Sequence, residues 1–166
     1  FLLPLMFQLS FGYSADVSGW LLAPIALMSV VFKRFIGHIL NILGYKTTLI
    51  LSSLLMAGST VSMSWLDTSS STTWIICNLV WYGACMSMIF TSINTLTVGD
   101  LSQAQSGVGA TVLSIVQQVG IGFGIAVASI ILTLYRQFVG NEGDALQHAF
   151  SYTFLTTSVF AIALVW

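Results

Sequence analysis

Gly37-His38-Ile39-Leu40-Asn41-Ile42-Leu43-Gly44-Tyr45-Lys46 separates two long apolar runs, residues 17–36 before it and 47–66 after it. Each run has the length a helix needs to cross a bilayer, roughly 20 residues at about 1.5 Å rise per residue. A break this short makes the two helices antiparallel neighbours. Gly44 suits the end of the first helix, where a residue without a Cβ leaves the right-handed conformation at no steric cost. Lys33, Arg34 and Lys46 crowd the same end, and the chain has only four Lys and Arg in all. The positive-inside bias therefore puts this loop on the cytoplasmic side.

The composition supports the same reading along the whole chain. Charged residues make up 5% of it and hydrophobic residues 57%, where a soluble domain carries about 25% charged residues. The mean hydropathy is +0.96. These values define an all-α integral membrane protein. The net charge of −1 offers no basic patch for nucleic acid. Phe1 opens the chain and Trp166 closes it inside apolar runs, with neither an initiator Met nor a signal-peptide layout. That arrangement is expected of a fragment of a larger protein. Cys77 and Cys85 lie eight residues apart on one expected helix, about 12 Å along its axis, too far to pair. Neither has metal-ligand spacing, and no cofactor or metal site is expected.

Taken in order, the chain reads as a single transmembrane domain. The expected spans are a partial one at 1–9, then 18–40, 47–66, 73–98 and 107–135, and a partial one at 150–166. Pro24 falls close to the start of its span and is expected to kink the helix without ending it. All five acids, Asp16, Asp67, Asp100, Glu142 and Asp144, fall in expected loops. No carboxylate lies within a span, and a proton relay through a membrane usually needs an Asp, Glu or His there. Of the basic residues only Arg136 falls on the outer side, which agrees with the alternation of spans.

Three groups of residues stand out as candidates. On the fifth span Gly120, Gly124 and Ala128 recur every four residues as one small-residue ridge. Such a ridge lets helices approach closely in lipid, either as static packing or as a surface that slides during a conformational cycle. Gln117 and Gln118 sit beside it. An amide facing lipid leaves donors and acceptors unsatisfied at about 1–3 kcal/mol, so at least one should face protein or a wet cavity. The fourth span places Asn78, Tyr82 and Cys85 on one face, with Asn94 near its cytoplasmic end. Trp74, Trp81, Met86, Met88 and Phe90 give this span aromatic and soft apolar bulk, suited either to flat hydrophobic ligands or to ordinary helix contacts. His38 and His148 fall near opposite membrane faces, and no Ser/His/Asp or Cys/His constellation is visible, so no enzyme is expected.

The order of these motifs carries a resemblance. The central loop, G-x-x-x-N-x-x-G-Y-K, is similar to the loop motif G-x-x-x-D-R-x-G-x-R/K of the major facilitator superfamily. Gly37, Gly44 and Lys46 keep the pattern; Asn41 and Ile42 stand where the motif has Asp and Arg. The segment from Pro4 to Leu9 with Gly12-Tyr13-Ser14, the stretch from Asn94 to Thr97 with Asp100-Leu101, and Gln118, Gly120, Gly124 and Ala126 all resemble the C-terminal half of the fourteen-span drug:proton antiporters. Phe32-Lys33-Arg34-Phe35 and Gly44-Tyr45-Lys46 look most like the MdtD-type multidrug exporters of that branch.

The resemblance implies a partial C-terminal six-helix bundle and a secondary active transporter, with proton-coupled export of hydrophobic or cationic drugs by alternating access. The alternatives are an uptake carrier for a small metabolite and a non-transporting membrane scaffold. A cavity lined by Gln118, Asn78 and Asn94 favours transport; the same residues all held in direct helix contacts favour a scaffold. The implied partners are the lipid bilayer, the N-terminal half of the same protein, a small-molecule substrate, and protons through that half. The implied location is a bacterial inner membrane. Lys33 and Arg34 either snorkel to lipid phosphates or send one side chain to a cytoplasmic gate, with Arg34 the expected inward residue because a guanidinium suits a desolvated ion pair.

Overall fold

The computed structural model describes residues 1–67, 70–99, 106–140 and 143–163. Among them there is no strand. The chain opens with α1 (Leu2–Leu5), which widens into a π-helical turn, Met6–Ser10. Then come α2 (Ala15–Met63), α3 (Thr72–Gly99), α4 (Ser106–Val139) and α5 (Gly143–Ala163). By length and composition α2, α3 and α4 hold stretches able to cross a membrane. Asp100 and Glu142, expected in loops, lie outside the described residues.

Ser14 starts α2. Its backbone is extended and its hydroxyl accepts a hydrogen bond from the Val17 N–H at 3.4 Å, satisfying one of the orphan donors of the first turn. The helix therefore begins at Ala15, three residues before the expected boundary, and it runs on through Pro24.

The loop expected over 37–46 is helical except at one residue. Gly44 has φ 74° and ψ 164°, a conformation open essentially to glycine alone. It divides α2 into two limbs, residues 15–43 and 45–63. The break narrows to one residue because Ile39, Leu40, Ile42 and Leu43 continue the apolar helix until the glycine arrives, with Leu40 packed in one cluster with Met88 of α3. On the far side the Thr48 hydroxyl donates to the Gly44 carbonyl at 2.8 Å and is completely buried.

The packing shows that the limbs fold back on each other. Gly83 of α3 lies against the backbone of Ile25 in the first limb, and Trp81, half a turn away, packs over Gly58 in the second. On a straight helix Ile25 and Gly58 would stand about 50 Å apart. Both meet the same turn of α3, so the chain reverses between them. The first limb runs parallel to α3: Gly83 meets Ile25, and the Ser87 hydroxyl donates to the Ser29 carbonyl at 2.8 Å. The second limb runs antiparallel to α3, bringing Met63 and Leu66 to Ile75 and Leu79 in the largest buried cluster.

That cluster gathers Phe7, Leu132, Phe150 and Phe154 as well, so α1, α4 and α5 converge on the end of the bundle where α2 passes into α3. Polar contacts secure the same end. Gln147 donates to a carboxylate oxygen of Asp67 at 2.9 Å, and the Ser151 hydroxyl donates to the Ser64 carbonyl. Tyr135 and Thr156 share a hydrogen bond at 2.9 Å between α4 and α5. In a bilayer, where apolar contact between helices has no hydrophobic driving force of its own, such hydrogen bonds and close packing fix which helices pair.

Candidate functional site

Two parallel stripes build the main cavity. Along the first limb of α2, Ile25, Ser29 and Lys33 follow at four-residue steps and so share one face. Along α3, Gly83, Ser87 and Thr91 do the same. The offset between the helices is 58 residues at the Ser29–Ser87 hydrogen bond, and the same offset pairs Ile25 with Gly83. At the Gly83 level the helices touch: a Cβ built on that glycine would sit 2.7 Å from the Ile25 carbonyl oxygen. One turn further the hydroxyl of Ser87 bridges them. Beyond that, Lys33 and Thr91 line a cavity of about 660 Å³, with Met86 and Phe90 as its apolar wall and Asn94 and Thr95 toward the end of α3.

Three of the six polar residues lining this cavity are already engaged. Ser87 is bonded to Ser29, Ser29 donates back to the Ala26 carbonyl at 2.8 Å, and the Asn94 amide donates to the Phe90 carbonyl at 2.6 Å. The Thr91 hydroxyl oxygen is buried and has no partner. Among the described residues Lys33 makes no hydrogen bond or ion pair. Lys33 stands eleven residues before Gly44, about 16 Å along the helix. Lys33 and Arg34 are both exposed; Lys33 lines the cavity, and Arg34, the residue expected to turn inward, does not. The register decides this: Lys33, and not Arg34, continues the Ile25–Ser29 face.

A second cavity, of about 400 Å³, lies within the bundle. Tyr82, Met56, Thr60, Gly124, Ala128 and Thr157 line it, with the start of α1 closing one side. The expected site residues thus separate. Tyr82 faces the inner cavity and Asn94 the groove between α2 and α3. Asn78 lines neither; it is buried, with its amide nitrogen donating to the Trp74 carbonyl at 3.0 Å and its amide oxygen unpartnered. Gln117 is half-buried with an unpartnered amide nitrogen, and Gln118, one residue on, is exposed. The discriminating set of Gln118, Asn78 and Asn94 therefore divides between open surface, helix contact and cavity.

The small-residue ridge also divides. Ala128 is buried, but nothing in the described chain approaches within 4 Å of a Cβ placed on Gly120 or Gly124. The closest glycine-mediated helix contact belongs instead to Gly83. Sequence carried a signal for it: Gly83 and Ser87 are a small pair four residues apart, the spacing that brings membrane helices together. Of the central loop motif, Gly37, Asn41, Gly44 and Lys46 are all exposed, and only Gly44 has non-helical geometry. Among the described residues no group of His, Cys, Asp or Glu is placed to hold a metal ion.

A glycine-broken helical hairpin, a third helix clasped by its limbs, and cavities with isolated polar groups make up the helical bundle of an integral membrane protein. The family model for the Major Facilitator Superfamily matches residues 1–125, and the chain belongs to that superfamily. It is 76% identical over 166 residues to a protein of Haemophilus influenzae named as a probable transport protein, HsrA; the match covers all of this chain and 36% of that relative. Over 162 residues, 96% of this chain and 34% of the relative, it is 29% identical to a protein of Enterobacter sp. (strain 638) whose name, MdtD, is one given for multidrug resistance. The protein of the same name from Salmonella paratyphi B is 30% identical over the same length. The chain spans about a third of the length of these curated relatives.

Proposed function

We propose that this chain is part of the C-terminal half of a carrier that exports small hydrophobic compounds, drugs among them, from a bacterial cell by alternating access. The observation that carries the reading is the cavity between the first limb of α2 and α3. Its volume, about 660 Å³, is that of a pocket for a drug-sized molecule. Its wall of Met86, Phe90 and Ile25 can stack on or mould to varied apolar bodies, while a few polar groups stay free to orient them. Superfamily membership and relatives named for transport and multidrug resistance support the same reading.

In this reading Asn94 and Gln118 face the central cavity shared with the N-terminal half, and Tyr82 packs behind it. Proton coupling belongs to that other half, since the described membrane helices hold no Asp or Glu at bilayer depth and Asp16 and Asp144 sit in first turns. The Gly44 turn lies on the cytoplasmic side of the inner membrane, as the crowding of Lys33, Arg34 and Lys46 directs.

Efflux tests the reading. The full-length carrier, expressed in cells stripped of their main exporters, is expected to drive out a fluorescent hydrophobic dye, and a protonophore is expected to stop it. Dye retention equal to that of cells without the carrier would overturn the export reading. Efflux indifferent to the protonophore would overturn the coupling.

A further inference from the structure

We infer that the groove between the first limb of α2 and α3 binds the anionic group of an amphipathic substrate, with Lys33 as its charge partner. The inference rests on the export reading and narrows its substrate class.

Four observations carry it. Among the described residues Lys33 is the sole charged one lining the cavity. It lies inside a membrane-spanning helix, where a cation is costly and where Lys and Arg characteristically face a bundle interior or a wet cavity. Among the described residues it has neither an acid nor a hydrogen-bond partner. Opposite it, at the offset of 58 residues that the Ser29–Ser87 bond fixes, stands Thr91, whose hydroxyl is buried and unpartnered.

Lys33 and Thr91 line one cavity from facing helices, so an ammonium and an unpartnered hydroxyl are two donors beside the same space. A carboxylate, sulfonate or phosphate monoester supplies the acceptors both lack, and charge-assisted hydrogen bonds of this kind are among the stronger ones. Met86, Phe90 and Ile25 then receive an aromatic or aliphatic body attached to the anion. A cationic compound is disfavoured in the same place, because Lys33 repels it where the dielectric is low.

Lys33 is exposed, as Arg34 is, but of the two it alone lines the cavity. Its register continues from a helix contact at Ile25 and an interhelical hydrogen bond at Ser29, so its side chain issues on the face that packs against α3. Arg34, pointing about 100° away, is the residue placed to reach lipid phosphates.

The test compares two probes that differ by one anionic group: anilinonaphthalenesulfonate and its uncharged parent, phenylnaphthylamine. Binding of each is measured on the purified full-length carrier in lipid nanodiscs, as wild type, Lys33→Gln, Lys33→Arg and Arg34→Gln. The expected result is that Lys33→Gln weakens binding of the sulfonate by about tenfold or more, the scale of one hydrogen bond to a charged group. The uncharged probe and the Arg34→Gln carrier are expected to stay at wild-type values, and Lys33→Arg to keep most of the affinity.

Equal losses for both probes would mean that Lys33 only shapes the groove, and the inference would fall. No loss for either would mean that Lys33 snorkels, with the same consequence. Undiminished sulfonate binding with loss of all dye export would assign Lys33 to a gate with the other half, which also overturns it. Failure of the wild-type carrier to export any dye would strike the export reading alone, since the binding difference between the two probes is read without transport.

Discussion

α3 and α4 are both long apolar helices punctuated by glycine, and the bundle treats them oppositely. Within their membrane-length stretches, 44% of α3 is buried against 11% of α4. α3 is clasped on one side by the first limb of α2 and on the other by the second. α4 rests on α5 through Leu132 and Tyr135 and leaves Gly120, Gly124 and Gln118 open. Apolarity alone therefore does not decide which membrane helix lies inside, since lipid is as apolar as a core. The decision falls to small residues and hydrogen bonds at particular positions. α3 has these at Gly83 and Ser87. α4 keeps its small residues and an amide for a surface that this chain does not cover. An exposed amide at that depth is costly in lipid, so the remainder of the carrier or water is expected to meet it.

Substitutions at three glycines sharpen the contrast. Gly83→Ala has the largest expected effect. Its Cβ would meet the backbone of Ile25 at 2.7 and 2.9 Å, and backbone cannot rotate aside. The helices must separate, at about 1–3 kcal/mol or more, which exceeds the gain of about 1 kcal/mol from replacing glycine in a helix. Thermal unfolding of the full-length carrier in detergent should show a clear drop in midpoint; an unchanged midpoint would mean that α3 is not clasped.

Gly44→Ala comes next. The space around this residue is open, but φ 74° and ψ 164° are foreign to alanine, and strain of this kind costs about 1–3 kcal/mol. The fold-back is expected to loosen, seen as faster protease cleavage between the limbs. Gly37→Ala, at a helical and equally open position, serves as the control that should behave as wild type.

Gly124→Ala has the smallest expected effect on stability, because nothing of this chain lies within 4 Å of the new methyl group. A midpoint at wild type or a few degrees above it, the shift expected from the gain of about 1 kcal/mol on replacing glycine in a helix, would fit. A loss as large as that at Gly83 would show that the remainder of the carrier packs tightly on the α4 ridge and would erase the contrast.

Much of this was legible in the sequence because membrane helices announce themselves by length and apolarity. The hairpin at Gly44 was readable from a glycine set between two spans of bilayer length. Its tightness was not, because whether Ile39, Leu40, Ile42 and Leu43 form a loop or the last turns of a helix is decided by how α2 packs against α3. The choice between Lys33 and Arg34 turns on a related point. Guanidinium chemistry favoured Arg34, but register favours Lys33, and register becomes visible only once Ile25 and Ser29 are known to face α3. The α4 ridge drew the eye as three small residues in a row, whereas the working contact rests on the shorter pair Gly83 and Ser87.

The most direct test asks whether the α2–α3 groove is open to water and electropositive. Asn94→Cys is introduced into the full-length carrier with Cys77 and Cys85 replaced by serine, and methanethiosulfonate reagents bearing either a sulfonate or a quaternary ammonium are applied. Each rate is taken relative to the same reagent's rate with a free thiol in solution. The introduced thiol is expected to react, the anionic reagent to be relatively faster, and Lys33→Gln to remove this preference. A thiol at that position that neither reagent reaches, or one that relatively prefers the cation with Lys33 in place, would contradict an open, electropositive groove.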